Sequence, residues 1–413
     1  MNNSILIIAY YFPPLAMGGV QRIAKLAKYL PQLGYQVHVI TVKPIRYPAY
    51  DKSLFDEIPD EVKIHRSGSS DPARLTRYLP LPLTGLKSIS RMAKKTGMIW
   101  PDSKIGWKKY AIKKAEEVIA KQKIDLILSS SPPITAHLVA REISEKFQIP
   151  WIADFRDIWE SRGPEVIYKD KSLIKKSYDL LSQIGQTASA ITAINKTIAA
   201  HISSTAVSIP GGYDPDDFVK LQATSDTKNF ILCYLGTIHS LHPIEPFLQA
   251  AHLLASKKGQ FGEKFKFVFI GANDRNEIMR LAEKYEMTEK IEVIDYLPHR
   301  EALSKAASAG ALLLSAAENH KDILTGKIFD YMGLESPILG AVPHDGEAAL
   351  MITRHRGGLF ASPNDIIGLA EAMEILFNRW QKSEKWEKTE LDVMTRLHAA
   401  KQFAGVFEKV LDA

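Results

Sequence analysis

The segment of residues 322–337 carries two carboxylates, Asp322 and Asp330, that lie eight positions apart on either side of the small polar turn Thr325-Gly326-Lys327. The turn opens a short helical pattern that ends near Gly333. The first N–H groups of a helix lack partners within it, and together with a glycine and a lysine they suit a phosphate. The acids can accept sugar or ribose hydroxyls. The layout indicates a nucleotide-sugar site, with an ordinary αβ unit and solvated acids as the alternative.

Apolar runs of strand length alternate with helical patterns along the chain, and they are the elements that must position this segment. The predicted strands cover residues 4–9, 36–42, 125–129, 151–154, 190–194 and 207–209, then 230–235, 265–270, 291–294, 311–315 and 338–342. Runs this apolar are typical of parallel sheets that are covered on both faces. The alternation predicts an α/β protein with doubly wound sheets.

The length of 413 residues exceeds one usual hydrophobic core, which predicts two domains. We expect one Rossmann-like domain at residues 1–209 and another at 210–390. A C-terminal helix at about residues 391–413 is expected to pack back on the first domain. Polar residues 222–229 form the predicted hinge.

Loops with polar or glycine residues follow the predicted strand ends. They cover residues 10–19, 154–159 and 236–242. Ligands of doubly wound sheets bind beyond the carboxyl ends of the strands. These loops therefore favour the nucleotide-sugar interpretation over a plain αβ turn.

The composition is that of an ordinary soluble globular protein, with 46% hydrophobic and 24% charged residues. The single cysteine, Cys233, lies in an apolar run and predicts a buried thiol in a reducing compartment. The start of the chain lacks the pattern of a signal peptide, and no apolar run has the length of a membrane span. We therefore expect a cytoplasmic protein.

The net charge of +6 is unevenly distributed: residues 1–205 contain 30 Lys and Arg against 18 Asp and Glu. The excess is concentrated between Arg74 and Lys123, where cations alternate with apolar and aromatic residues. This pattern favours docking on an anionic membrane surface, and hence peripheral association with the inner face of the cell membrane. Solvated helix faces around a core are the alternative. No zinc-finger or RNA-binding signature is present, so no nucleic-acid partner is expected. The cations concerned are Arg91, Lys94, Lys95, Lys108, Lys109, Lys113 and Lys114.

Four motifs in this order resemble the GT-B glycosyltransferases, specifically the large family-four group of retaining enzymes. The chain opens with Ile7-Ile-Ala-Tyr-Tyr-Phe-Pro-Pro and Gly18-Gly19, similar to the first strand and glycine loop of that family. Ser129-Ser-Ser-Pro-Pro and Pro150-Trp-Ile-Ala-Asp-Phe-Arg-Asp-Ile-Trp are similar to a subgroup that builds bacterial surface polysaccharides. Residues 209–218 resemble the linker signature, and Asp322 and Asp330 fall where the family carries a Glu-x7-Glu pair. The resemblance covers nearly the whole chain and implies two Rossmann-like domains facing a cleft.

The resemblance also implies roles for individual residues at the donor site. Asp330 matches the acid that takes the ribose hydroxyls, and Asp322 matches the acid that faces the donor sugar. Thr325, Gly326 and Lys327 would hold the diphosphate. The remaining donor-binding positions would be Gly18, Gly19, Gly236, Thr237, His242, Gly271 and Leu297.

The segment Asp154-Phe-Arg-Asp157 is the expected acceptor side of the reaction. Arg156 lies nearest to where many relatives place a histidine beside the reacting sugar. Asp154 and Asp157 would orient or deprotonate an acceptor hydroxyl. The alternative for this cluster is a structural salt bridge at a strand end.

Two features depart from the family pattern. Thr237 and His242 stand where relatives often carry Arg and Lys, so part of the positive charge must come from Lys327, the helix dipole, or a protonated His239 or His242. Both acids of the pair are Asp, one methylene shorter than Glu.

Asp214-Pro-Asp216 matches the metal-binding signature of another glycosyltransferase fold but fits the linker motif better. No metal and no cofactor are therefore expected.

The resemblance implies a retaining glycosyltransferase that moves a sugar from a nucleotide-sugar donor to a lipid-linked or cell-envelope glycan. Two other functions stay open from the sequence. One is a sugar-nucleotide epimerase or phosphorylase on the same scaffold. The other is a non-catalytic partner subunit, because the usual Arg and Lys are missing.

Overall fold

The chain folds as two α/β units. The computed structural model describes residues 3–16, 18–78, 99–159, 163–219, 221, 228–238, 240–321 and 324–413. The N-terminal unit comprises Met1–Gly211 and Arg396–Ala413, and the C-terminal unit comprises Gly212–Thr395. The expectation from the sequence was a boundary after residue 209 and a returning helix from about residue 391.

The N-terminal unit is built on a parallel sheet of seven strands in the order β3-β2-β1-β4-β5-β6-β7. The strands are β1 Ser4–Ile8, β2 Gln36–Val42, β3 Lys63–Ser67, β4 Leu126–Ser131, β5 Trp151–Phe155, β6 Ala190–Ala193 and β7 Val207–Ser208. Its described α-helices are Gly18–Tyr29, Lys52–Asp56, Pro72–Leu75, Lys108–Ile119, Thr135–Phe147, Pro164–Ile167, Lys171–Thr187, Lys196–Ile202 and Arg396–Leu411.

The C-terminal unit repeats the plan with a parallel sheet of six strands in the order β10-β9-β8-β11-β12-β13. The strands are β8 Phe230–Leu235, β9 Phe265–Ile270, β10 Ile291–Ile294, β11 Ala311–Ser315, β12 Ile338–Ala341 and β13 Gly358–Ala361. Its described α-helices are Glu245–Lys257, Gly259–Lys264, Arg275–Lys284, His299–Ala306, Gly326–Gly333, Glu347–Arg354 and Ile366–Gln381. Short 3-10 turns cover Pro31–Leu33, Thr76–Tyr78, Ile105–Trp107, Pro215–Asp217, Thr288–Lys290 and Leu391–Met394.

The central strands of both sheets are buried on both faces, which explains why β1 and β8 are almost entirely apolar. In β1, Leu6 and Ile8 belong to one apolar cluster while Ile5 and Ile7 belong to the cluster on the opposite face. The strand β8 divides its residues in the same way between two clusters. The prediction of a doubly wound α/β architecture is therefore confirmed.

The strands β3 and β13, each at the edge of its sheet, are not predicted from the sequence because neither forms a long apolar run. The residues of β3, Lys63-Ile-His-Arg-Ser, are mostly polar and only partly buried. The strand β13 begins with Gly358 and has four residues. Edge strands bury less side-chain surface, and glycine is depleted in strands, so neither segment carries the apolar signal that marks a central strand.

The helix Arg396–Leu411 packs against the helix Gly18–Tyr29 of the same unit. Phe403 and Phe407 are fully buried in this contact, and the Arg22 guanidinium lies over the Phe403 ring at 5.0 Å. Each buried phenylalanine contributes about 1.5–3 kcal/mol of hydrophobic stabilisation. The end of the chain is thus part of the core of the N-terminal unit.

None of the described helices combines the length and the apolar character that crossing a bilayer requires.

The helix Gly326–Gly333 is held at its C-terminal end by Lys388. The Lys388 ammonium donates to the carbonyls of Tyr331, Leu334 and Ser336, the last at 2.8 Å. A cation at this end also interacts favourably with the helix dipole. Lys388 therefore fixes the element that carries Lys327 and Asp330.

We expect Lys388→Ala to lower the free energy of unfolding of the C-terminal unit by about 1.5–3 kcal/mol, because charge-assisted hydrogen bonds to three carbonyls are lost. Urea unfolding followed by Trp380 and Trp386 fluorescence measures this. Burial lowers the pKa of Lys388 to about 7, so the measurement belongs at pH 6, where the ammonium is charged. The control is Lys385→Ala, an exposed lysine three residues earlier, with an expected change within about 0.5 kcal/mol. Equal urea midpoints for the two variants would contradict the role of Lys388 in holding the C-terminal end of the helix Gly326–Gly333.

Candidate functional site

Two glycines turn the chain at the carboxyl ends of the strands β8 and β9. Gly236 has φ +89° and Gly271 has φ +73°, values that side-chain-bearing residues rarely adopt. The Gly236 N–H donates to the Ile270 carbonyl at 2.7 Å, and the Gly271 N–H donates to the Ile294 carbonyl at 2.9 Å. A Cβ on Gly236 would lie 3.2 Å from Cε of Lys327. Gly236 therefore both makes the turn and leaves room for the lysine.

The helix Gly326–Gly333 begins beside these turns. Its N-cap residue, Thr325, makes no capping hydrogen bond through its side chain. The Thr325 hydroxyl oxygen is buried and has no hydrogen-bond partner among the described residues. The first N–H groups of the helix and this hydroxyl together offer several donors at the positive end of a helix dipole, which suits an anion.

The Lys327 ammonium lies at the same place. It donates to the Tyr234 hydroxyl and to the Thr237 carbonyl at 3.4 Å, and it lies 3.9 Å from the centre of the Tyr234 ring. In the part of the chain that the structure describes, no carboxylate forms an ion pair with it. Burial lowers the pKa of Lys327 to about 7. A bound anion would restore the charge that burial disfavours.

Asp330 lies one turn further along the helix and is partnered by a histidine. Its Oδ2 lies 3.1 Å from Nε2 of His299. Nδ1 of His299 lies 3.6 Å from Oδ2 of Asp217. The other carboxylate oxygen of Asp217, Oδ1, lies 3.7 Å from Nε of Arg300. The site therefore contains an ordered row of charged groups that includes the acid predicted to bind ribose.

His242 fixes the loop after β8. Its Nδ1 donates to the Ser315 carbonyl at 2.8 Å, and its side chain is buried. Thr237 reaches Lys327 through its backbone carbonyl, as described above. Leu297 is partly buried against the apolar cluster on this face of the sheet. Asp322 and His239 lie outside the described residues.

In the N-terminal unit, Arg156 joins two chain segments near the carboxyl end of β4. Its three guanidinium nitrogens donate to the carbonyls of Gly19, Ser131 and Pro132, the last two at 3.1 Å each. Gly18 and Gly19 form the first turn of the helix Gly18–Tyr29, and a Cβ on Gly19 would lie 3.1 Å from Arg156. Burial lowers the pKa of Arg156, while the neighbouring Asp157 acts in the opposite direction. Gly19 thus makes room for this arginine.

Asp154 is a fully buried ion-pair partner of Arg22. The pair is bidentate, with distances of 3.0 and 2.7 Å, and the Ser130 and Thr192 hydroxyls donate to the same carboxylate at 2.9 and 2.8 Å. With both oxygens occupied and no exposed surface, the carboxylate is not placed to accept a proton from an acceptor hydroxyl. For Asp154 the structure favours the structural salt bridge that the sequence left as the alternative.

Asp214 closes a turn in the linker segment. Its side chain accepts from the Asp216 N–H at 3.1 Å and caps the 3-10 turn Pro215–Asp217. This capping role agrees with the interpretation of Asp214-Pro-Asp216 as part of the linker motif.

The basic region is only partly described. Lys108 pairs with Glu142 at 2.7 Å, and Lys114 pairs with Glu117. Both lysines lie on the helix Lys108–Ile119, with partly exposed side chains. These pairs agree with the solvated-face alternative. Arg91, Lys94 and Lys95 lie outside the described residues.

Sequence reasoning missed Arg22, Tyr234, Asp217 and His299. Tyr234 lies inside an apolar strand and reads as a core residue. Arg22 lies in an amphipathic helix, where a basic residue is ordinary. Asp217 and His299 are 82 positions apart, so only the folded chain brings them together. The histidine after Pro298, at a predicted strand end, was the one available signal.

Comparison with known proteins identifies the fold and the family of the N-terminal region. Residues 17–208 match the glycosyl transferase 4-like domain. No curated protein matches the sequence significantly.

Solved structures match the whole chain. Sucrose-phosphate synthase from Thermosynechococcus elongatus is 13% identical, with a TM-score of 0.70 and 100% of both chains covered. HepE from Anabaena, in complex with UDP and glucose, is 13% identical, with a TM-score of 0.64 and coverage of 99% of this chain and 100% of that chain. The α,α-trehalose 6-phosphate synthase from Burkholderia multivorans is 12% identical, with a TM-score of 0.63 and 99% of both chains covered. The chain therefore shares the GT-B fold of these structures, with two parallel sheets in this order, and its residues 17–208 match the glycosyl transferase 4-like domain.

Proposed function

We propose that the protein is a retaining glycosyltransferase that transfers a sugar from a nucleotide-sugar donor to a lipid-linked or cell-envelope glycan. The observation that carries the donor assignment is the Lys327 ammonium. It lies at the start of the helix Gly326–Gly333, against the Gly236 turn, and has no anionic partner among the described residues. A diphosphate is the anion that a helix start, a lysine and a glycine turn at a strand end fit best.

In this proposal the C-terminal unit binds the donor. The N–H groups at the start of the helix, the Thr325 hydroxyl and Lys327 hold the diphosphate, and Asp330 accepts from the ribose hydroxyls. Gly271 and Leu297 lie beside the nucleobase, and Asp322 faces the donor sugar. Stabilising the departing diphosphate would supply the main part of catalysis, because the charge that develops there meets fixed donors.

The acceptor proposal is supported by the segments at residues 129–133 and 150–159 and by a structural neighbour. A protein named as the lipopolysaccharide outer core galactosyltransferase WaaB is 12% identical with a TM-score of 0.57. The resemblance supports retention and a reaction without metal, with the leaving diphosphate helping to deprotonate the acceptor. Peripheral binding at an anionic membrane would bring a lipid-linked acceptor to Arg156 and Asp157.

The test is a turnover assay with purified protein, a panel of nucleotide sugars, and lipid-linked or short glycan acceptors. The expected result is transfer with retained anomeric configuration and release of the nucleoside diphosphate. An altered free donor sugar without transfer would instead favour the epimerase or phosphorylase alternative. The absence of both turnover and nucleotide binding at millimolar concentration would overturn the proposal.

Donor binding is expected to weaken as the pH rises above 7. Lys327 has a pKa of about 7 in the free protein, so its charged form is lost above that pH, whereas a bound diphosphate raises its pKa. The association constant should fall by up to about tenfold per pH unit until the pH reaches the pKa of the complex. Calorimetry with a nucleotide sugar, whose diphosphate does not titrate in this range, measures the slope. Lys327→Ala should remove it, and an unchanged slope in that variant would assign the titration to another group.

A further inference from the structure

His299 lies between two acids that come from different parts of the C-terminal unit. On one side is Asp330, on the helix Gly326–Gly333, with its oxygen 3.1 Å from Nε2 of the imidazole. On the other side is Asp217, in the 3-10 turn Pro215–Asp217, with an oxygen 3.6 Å from Nδ1. The ring therefore bridges the linker segment and the helix of the candidate donor site.

The partners determine which nitrogen carries a proton. An ionised carboxylate can only accept hydrogen bonds, so Nε2 of His299 must be the donor to Asp330. The bond fixes Oδ2 of Asp330. In the described ranges no donor reaches the other oxygen, Oδ1, and the Asp330 side chain is 22% exposed. One oxygen is thus held by protein while the carboxylate stays accessible.

His299 is itself held in place. It is the first residue of the helix His299–Ala306, directly after Pro298. Asp217, which faces its Nδ1, has 2% side-chain exposure and lies 3.7 Å from Arg300. Arg300 also donates to the Asp216 carbonyl at 2.8 Å. The helix start and the linker turn form a rigid support for the imidazole.

We propose that His299 is a positioning residue that orients Asp330 toward the ribose hydroxyls of the donor nucleotide. This inference rests on the proposed function, which gives Asp330 its ribose contact. Asp is one methylene shorter than Glu, so an aspartate has fewer rotamers with which to reach a ribose. A donor that fixes one carboxylate oxygen presents the other in a single direction, which lowers the entropy lost on binding.

Selectivity for ribose separates this role from general structural support. The probes are uridine, adenosine and guanosine diphosphates with their 2′-deoxy and 3′-deoxy counterparts, with affinity measured by calorimetry. We expect the wild type to prefer the ribonucleotide about tenfold over at least one deoxy form, as for a hydrogen bond to a charged group. His299→Ala should weaken ribonucleotide binding about tenfold and leave deoxynucleotide binding within about twofold. His299→Gln, whose amide can replace the Nε2 donor, should restore most of the preference.

Lys305→Ala is the matched control, because Lys305 is an exposed residue of the same helix His299–Ala306 and takes no part in the support of His299. It should retain the ribose preference. If His299→Ala fails to fold, His299→Asn takes its place, since its shorter amide does not reach Asp330.

Two results would overturn the inference. An equal loss for ribo and deoxy forms in the His299 variant would show a structural role and leave the proposed function standing. A wild type that binds no nucleoside diphosphate, or that binds ribo and deoxy forms equally, would overturn the ribose contact of Asp330 together with this inference.

Discussion

Lys327→Ala is expected to lower kcat/KM for the nucleotide-sugar donor by about 10²–10³-fold, the usual effect of removing one preorganised donor to a developing negative charge. We expect so large an effect because Thr237 and His242 depart from the family pattern. Where relatives often carry Arg and Lys, this chain offers a backbone carbonyl from Thr237 and a histidine that is bonded to the Ser315 carbonyl. Under the proposed function, Lys327 is therefore the main cation that the described residues offer the diphosphate, and steady-state kinetics with a saturating acceptor measure its contribution.

Two comparisons make this prediction specific. His242→Ala should cost less than Lys327→Ala, because its Nδ1 is already engaged by a carbonyl. Lys305→Ala removes an exposed lysine from the neighbouring helix His299–Ala306 and should leave kcat/KM unchanged. Lys327→Ala should stay folded, since it removes a cation that has no anionic partner in the described chain. Equal or smaller damage from Lys327→Ala than from His242→Ala would show that the charge lies elsewhere. Intact biological activity of Lys327→Ala and Asp330→Ala would favour a non-catalytic partner subunit.

Asp154→Ala is expected to have the largest effect on stability, about 3–5 kcal/mol, because it leaves the buried Arg22 guanidinium without its counter-ion. Arg22 would keep only the carbonyls of Ile209 and Pro210 as acceptors, at 2.9 and 3.3 Å. The Ser130 and Thr192 hydroxyls would lose their acceptor as well. Urea unfolding followed by fluorescence of the tryptophans in the N-terminal unit measures the change.

The control for this prediction is Asp179→Ala, which breaks an exposed pair with Lys175 and should cost only about 0.3–0.5 kcal/mol. Similar midpoints for the two aspartate variants would contradict the structural role of Asp154.

The stability contributed by Asp154 should also depend on pH in one direction. Burial alone would raise the pKa of Asp154, but the charge of Arg22 and the hydrogen bonds from Arg22, Thr192 and Ser130 hold it below its ordinary value. A carboxyl with a lowered folded pKa contributes stability that is complete above its unfolded pKa, near 3.9, and is lost as the pH falls through the folded value. The difference between wild type and Asp154→Ala should therefore stay level from pH 5 to 8 and shrink below about pH 4.

The central strands could be predicted from the sequence because each is buried on both faces. The predicted ranges 36–42, 230–235, 265–270 and 311–315 match the observed strands β2, β8, β9 and β11 residue for residue. The range 291–294 also matches β10, which is an edge strand and only partly buried. The edge strands β3 and β13 could not be predicted, because β3 is mostly polar and β13 is a run of four residues that begins with glycine. The helix Lys108–Ile119 could not be predicted either, because its few buried residues, Ala111, Ala115 and Val118, lie among lysines.

The candidate donor site was accessible to sequence reasoning where its parts are adjacent in the chain. Thr325, Gly326, Lys327 and Asp330 fall within six positions, and the observed helix Gly326–Gly333 begins at the predicted turn. The contacts of these residues were not accessible. Lys327 meets Tyr234 across 93 positions, and Asp330 meets His299 across 31.

The sequence by itself determined the alternation of strands and helices, the two-part organisation and the placement of polar loops after strands, because each depends on local periodicity. Only the tertiary structure decided what the charged residues do. It placed Asp154 in a buried pair with Arg22, and it brought Lys327 to the Tyr234 hydroxyl and the Thr237 carbonyl. The role of a charged residue depends on its burial and on its partners. Both are set by segments that lie far apart in the chain.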